Sequence, residues 1–113
     1  MLPGLEPLKF ARASNLYVRL KSFDGETPVV VTIERKTIDG LFGLSSSTDK
    51  QRVNIVMSNL AAIFDIVKQR HGLRSWTEAT INCAKVRQMV LSEEDFRDSN
   101  LVLPRERTLT RRR

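Results

Sequence analysis

One stretch, Thr48 to Gly72, restricts the fold of this chain more than any other. Val53, Val56, Met57, Leu60, Ile63, Phe64 and Val67 recur at spacings of three and four, as one face of a helix requires. Thr48, with Gln51 three residues on, matches a capping box and marks the start. Lys68, Arg70 and His71 place cations near the negative end of the helix dipole, and Gly72 supplies a left-handed stop. The pattern predicts one long helix over 48–72.

A second apolar set, Ile55, Ala62 and Ile66, lies off that stripe and widens the apolar arc to roughly 200°. A surface helix needs about half of that, so this helix is covered on two sides. A sheet of the same chain is the expected cover on one side. The other is open between the C-terminal elements and a second copy of the protein. Ile55, Ala62 and Ile66, together with Trp76, are therefore the candidate interaction face, with a homodimer or a protein partner as its expected use.

Around the helix the chain reads as short strands. Residues 1–8, with two prolines and a glycine, read as a flexible N-terminus. Lys9-Phe10 begins an edge strand. From Leu16 to Phe23 the pattern alternates, with Leu16, Val18 and Leu20 on one face and Tyr17, Arg19 and Lys21 on the other. Asp24-Gly25 is a hairpin signal. Val29, Val31 and Ile33 then face the core, and Ile38, Leu41 and Phe42 predict a two-turn helix over about residues 35–42. Val86 to Leu91 reads as extended. Residues 75–85 stay open between a helix capped by Ser75 and Glu78 and an alternating strand through Ala79, Ile81 and Cys83. Ser92-Glu93-Glu94-Asp95 reads as a cap and first helical turn.

The 113 residues suffice for one domain and a core without staples. The single cysteine, Cys83, excludes an intramolecular disulfide and any multi-cysteine metal site. The longest unbroken apolar run, Leu60 to Phe64, is far too short to span a membrane, and the first residues lack a signal-peptide pattern. A soluble cytoplasmic protein is the expectation. Aromatics at 6% argue against a base-stacking platform. The net charge of +6 lies mostly at one end. Residues 105–113 carry five arginines against one glutamate, leaving only +2 on the first 104 residues.

Few residues suggest chemistry. His71 is the only histidine and reads as a solvated helix-end residue. Cys83 reads as a small buried hydrophobe. Glu93, Glu94 and Asp95 point in different directions on a helical turn and read as a solvated cap rather than a cation site. No glycine-rich phosphate loop is present. No catalytic residue, metal ligand, cofactor or small-molecule ligand is therefore expected, and the chain reads as a non-enzyme. The tail is the sharpest lead. Arg105, Arg107, Arg111, Arg112 and Arg113 are candidate phosphate contacts for weak, sequence-independent nucleic-acid binding.

Val18-Arg19-Leu20-Lys21-Ser22-Phe23-Asp24-Gly25, then Val29 to Ile33, then Ile38-Asp39-Gly40-Leu41-Phe42-Gly43, and finally Val90-Leu91-Ser92-Glu93-Glu94-Asp95-Phe96 form a further pattern. This order resembles the small bacterial proteins of domain-of-unknown-function family 1488, over roughly residues 9–96. The region 73–85 is longer than that pattern's usual link, and the arginine tail is outside it. The resemblance implies a small bacterial α+β protein and brings no activity or functional residue with it. The combined expectation is a single α+β domain over 9–103, with a small antiparallel sheet packed against one long helix plus a short helix. A disordered basic tail follows over 104–113. Its expected role is interaction or self-association, with nucleic-acid binding through the tail as the alternative.

Overall fold

The computed structural model describes residues 4–97, 99 and 101–102. Five strands form one sheet: β1 (Lys9–Ala13), β2 (Tyr17–Asp24), β3 (Thr27–Glu34), β4 (Thr77–Ile81) and β5 (Ala84–Leu91). Three helices, α1 (Arg35–Phe42), α2 (Asp49–Ser58) and α3 (Leu60–Gly72), lie between β3 and β4 in the chain. A short 3-10 turn, Glu93–Phe96, follows β5. The α+β class is the one expected. No helix among the described residues is long and apolar enough to cross a membrane.

The strand order is β1-β2-β3-β5-β4. The sheet is mixed, not antiparallel throughout, because β5 runs parallel to β3, with Val29 beside Arg87 and Ile33 beside Leu91. The helical segment carries the chain over one face, as a parallel pair needs a long crossover. The alternation seen in the sequence is obeyed: Val18, Leu20, Val29, Val31 and Ile33 are buried. Met89 and Leu91 join them from β5, and Ile38, Ile55, Val56, Ile63, Ile66 and Val67 close the core from the helices. Leu16 is 68% exposed, because it precedes β2 rather than belonging to it.

The expected single helix is two. Thr48 does form the capping box with Gln51, but the helix breaks at Asn59, whose φ of −113° and ψ of 20° leave the helical region. The Asn59 side chain explains the break. Its Nδ2 donates to the carbonyl of Ile55 at 2.8 Å and to that of Val102 at 2.7 Å. Its Oδ1 accepts from the Val102 N–H at 2.7 Å. An amide that pairs with backbone outside its own turn competes with helix continuation. The buried side chain thereby ties the α2–α3 joint to the last described residues.

Two other local expectations change. Gly72 is the last residue of α3 rather than a left-handed stop, and the positive φ falls on Arg74 at 57°. Arg70 fixes this end by donating to the carbonyls of Val90 (2.8 Å) and Ser75 (3.2 Å). The segment left open, 75–85, is extended: β4 and β5 form a hairpin around Asn82 and Cys83, with φ of 53° and 66°. Cys83 is thus exposed at a hairpin tip and not buried, because it is a turn residue and not part of the strand alternation. The cap at Ser92 forms as expected, with the Asp95 carboxylate accepting from the Ser92 N–H at 2.8 Å.

The covered flank of the helices also answers the question of what covers it. Ile55 and Ile66 are 4% and 7% exposed and belong to the core of this one chain. Ala62 is half-buried, beside Asp65 and Glu94 in an open polar groove. Trp76 is half-buried against the core edge. Ile55 and Ile66 are thus core residues of this chain, whereas Ala62 lines the open groove beside them.

Candidate nucleic-acid interface

Helices occupy one face of the sheet, and the register places the remaining strand residues on the other. In β2, Val18, Leu20 and Ser22 are buried, so Tyr17, Arg19, Lys21 and Phe23 point to the open face. The β1–β2 pairing sets Lys9 opposite Lys21 and Arg12 opposite Arg19. A register shift between Phe10 and Arg12 is what brings Arg12, rather than Ala11, to that position. Four cations therefore share one half of the open face.

The arrangement runs against ordinary sheet pairing. Like charges directly opposite on neighbouring strands are destabilising, whereas opposite charges are favourable. Here two consecutive cross-strand pairs are both cationic. None of the four takes part in an ion pair among the described residues. The one acid at an open-face strand position, Glu34, lies at the far end of β3 and contacts Lys36 at 3.8 Å. Acids that could have offset the cluster sit elsewhere.

Two aromatic rings flank the cations. The Arg19 guanidinium lies 4.4 Å from the centre of the Tyr17 ring, and its Nε donates to Thr32 Oγ1 at 3.3 Å. Lys21 Nζ lies 5.2 Å from the centre of the Phe23 ring. Such contacts hold the cations flat along the sheet. Arg19 keeps its terminal donors free of protein partners among the described residues, because only Nε is engaged. Further along the same face, toward β5, the surface turns neutral through Val30, Thr32 and Gln88.

The helix-covered side carries a different polar cluster, at the ends of β2, α3 and β5. Arg87 Nη1 donates to Asp24 Oδ2 at 2.6 Å and contacts His71 Nε2 at 3.0 Å. A guanidinium only donates, so that contact is a hydrogen bond when Nε2 of His71 accepts. The His71 ring stacks on Trp76 at 4.9 Å between centroids, and the Arg87 guanidinium lies 4.4 Å from the Trp76 ring centre. His71 is thus not solvated as expected but half-buried, with Nε2 in contact with Arg87. Arg87 Nη1, His71 Nε2 and Asp24 Oδ2 converge here and latch three elements together.

The remaining candidates separate cleanly. Asp95 is taken up by the Ser92 cap and by Arg70 at 3.4 Å. Glu94 pairs with Arg97 at 3.4 Å. Arg105, Arg107, Arg111, Arg112 and Arg113 lie outside the described residues. Sequence reasoning missed every residue of this interface, Arg19, Lys21, Tyr17 and Phe23 on β2 as well as Lys9 and Arg12 on β1. The alternation of β2 already separates Tyr17, Arg19 and Lys21 from the core, but only the cross-strand register adds the second row of charge. No family model, curated protein or solved structure matches this chain.

Proposed function

We propose that this chain is a non-enzymatic module that binds single-stranded nucleic acid across the open face of its sheet. The observation that carries this reading is the pair of like-charge oppositions, Lys9 with Lys21 and Arg12 with Arg19. They carry an electrostatic cost that a bound polyanion removes. Lys9, Arg12, Arg19 and Lys21 meet phosphates. Aromatics are few in the chain, but Tyr17 and Phe23 stand on the same strand as Arg19 and Lys21. The ring faces not covered by those two cations offer stacking for unpaired bases, a combination that suits single strands better than duplex. The arginine tail adds phosphate contacts of its own, and the resemblance to family 1488 neither supplies nor opposes an activity.

The test is fluorescence anisotropy of a random-sequence single-stranded oligonucleotide across a salt series. Three proteins are compared: full length, a version ending at Pro104, and Lys9→Thr/Arg12→Thr. The double variant should bind about tenfold more weakly and lose about 1.4 from the log–log salt slope, two phosphate contacts at roughly 0.7 each. It should also be more stable, by about 0.5–1 kcal/mol, since both cationic oppositions are relieved. The truncated protein should retain salt-sensitive binding. Loss of binding on truncation alone would move the site to the tail, and absence of binding in all three would end the reading.

A further inference from the structure

The two edges of the sheet are treated differently. At β1 the register is interrupted between Phe10 and Arg12, and Lys9 and Arg12 stand on the strand. A bulge and cations are the usual guards against edge-to-edge pairing. At the other edge, β4 has neither. It carries no lysine, arginine or proline, its register with β5 is unbroken from Thr77 to Ile81, and three of its five residues are β-branched. Four of the five are exposed, and Ile81 is 42% exposed.

The turn decides which backbone groups face outward. Asn82 and Cys83 both have positive φ, so the hairpin has a two-residue loop flanked by Ile81 and Ala84. The pair next to such a loop exchanges both hydrogen bonds, and alternation then directs the N–H and C=O of Thr77, Ala79 and Ile81 toward β5. The N–H and C=O of Glu78 and Thr80 are left pointing away from the sheet. Among the described residues these four groups have no recorded backbone partner and form an open hydrogen-bonding edge.

We propose that β4 pairs antiparallel with β4 of a second copy of this chain, on a two-fold axis through Ala79, to give a continuous ten-stranded sheet. The register follows from charge and length. Centred on Ala79, all five residues find partners: Thr77 faces Ile81, and Glu78 exchanges hydrogen bonds with Thr80. Ala79 then faces its own copy in a non-hydrogen-bonded pair, where the Cα atoms approach to about 4.5 Å and a small side chain fits. Centred on Glu78, two carboxylates would oppose each other. Centred on Thr80, Thr77 and Glu78 would lie beyond the partner's strand. The sequence of β4 is self-complementary in one register alone. The interface is small next to the roughly 1,200 Å² of a standard one, so the dimer dissociates on dilution. It is independent of nucleic-acid binding, because β4 lies at the opposite edge from β1 and β2.

Sedimentation equilibrium from about 10 μM to about 1 mM, the range such a small interface calls for, tests the pairing. A reductant is present so that Cys83 cannot link chains. The wild-type mass should rise toward two chains with concentration. Thr80→Pro removes an outward N–H without touching the β5 ladder, and Ala79→Lys sets two ammonium groups on the axis. Both should stay monomeric at the highest concentration with an unchanged circular dichroism spectrum. Should Thr80→Pro fail to fold, Ala79→Lys decides alone. A wild-type protein that remains monomeric throughout, or a dimer that survives Ala79→Lys, overturns the proposal.

Discussion

Arg52→Ala is expected to lower stability by about 3 kcal/mol, and Arg52→Met by about 1 kcal/mol or less. Arg52 is 1% exposed, among the largest fully buried side chains. Its Nη1 donates to the carbonyl and hydroxyl of Ser47 at 2.7 and 2.6 Å, and its Nη2 pairs with Asp49. Ser47 Oγ in turn contacts Asp39 Oδ1 at 2.6 Å, and Asp39 pairs with Arg35 at 3.4 Å. Either substitution leaves the Ser47 carbonyl without its Arg52 donor, but alanine also empties the volume. Methionine keeps the stem packed. It also removes Nε, which is buried and has no hydrogen-bond partner among the described residues. Burying that donor unpaired is itself unfavourable, so an apolar isostere recovers part of the loss. Urea unfolding of the three proteins measures the difference. Equal losses for alanine and methionine would show that the polar network, not the packing, does the stabilising.

Asn59→Ala is the second large effect, at about 2–3 kcal/mol, because three hydrogen bonds from one buried side chain to backbone, one buried and two part-buried, disappear together. Alanine favours helix, so the joint between α2 and α3 gains local propensity while it loses tertiary anchoring. The diagnostic readout is therefore hydrogen exchange at Val102. Its N–H is held by Asn59 Oδ1 and should lose protection well before the rest of the domain. Asn59→Asp keeps an acceptor for that N–H but sets a buried carboxylate oxygen against the carbonyls of Ile55 and Val102, and should lose the protection at least as fully. Full protection at Val102 in the alanine variant would show that the C-terminal segment is held by Leu101 packing alone.

What the sequence revealed was local, and what it concealed was not. The burial of Val18, Leu20, Val29, Val31 and Ile33, the helix at 35–42 and the Thr48–Gln51 box each depend on neighbours within a few positions. The break at Asn59 depends on Val102, 43 residues away, and nothing in the periodicity of the helix announces it. Cys83 looked like the third member of an alternating run with Ala79 and Ile81. The positive φ of Asn82 and Cys83 turns that run into a hairpin, and asparagine was the one signal for it. The candidate interface was hidden by averaging. A net charge of +2 over the first 104 residues hides four cations on half of one sheet face, with acids such as Asp24, Asp39 and Asp49 drawn to structural partners. Only register distinguishes a mixed-charge surface from a segregated one.

The parallel pairing of β3 with β5 has a consequence for how the chain comes to be folded. β2 and β3 can zip as a hairpin as soon as both have been made, and Val29, Val31 and Ile33 then form an apolar surface. The sheet neighbour of β3 is β5, whose Arg87 to Leu91 lie beyond all three helices. Until the ribosome has delivered Leu91, one side of β3 stays open. Loop closure over such a separation is slow relative to hairpin formation, and open strand edges invite mispairing. While the hairpin waits, the apolar face of Val29, Val31 and Ile33 lies opposite a face that carries Lys9, Arg12, Arg19 and Lys21.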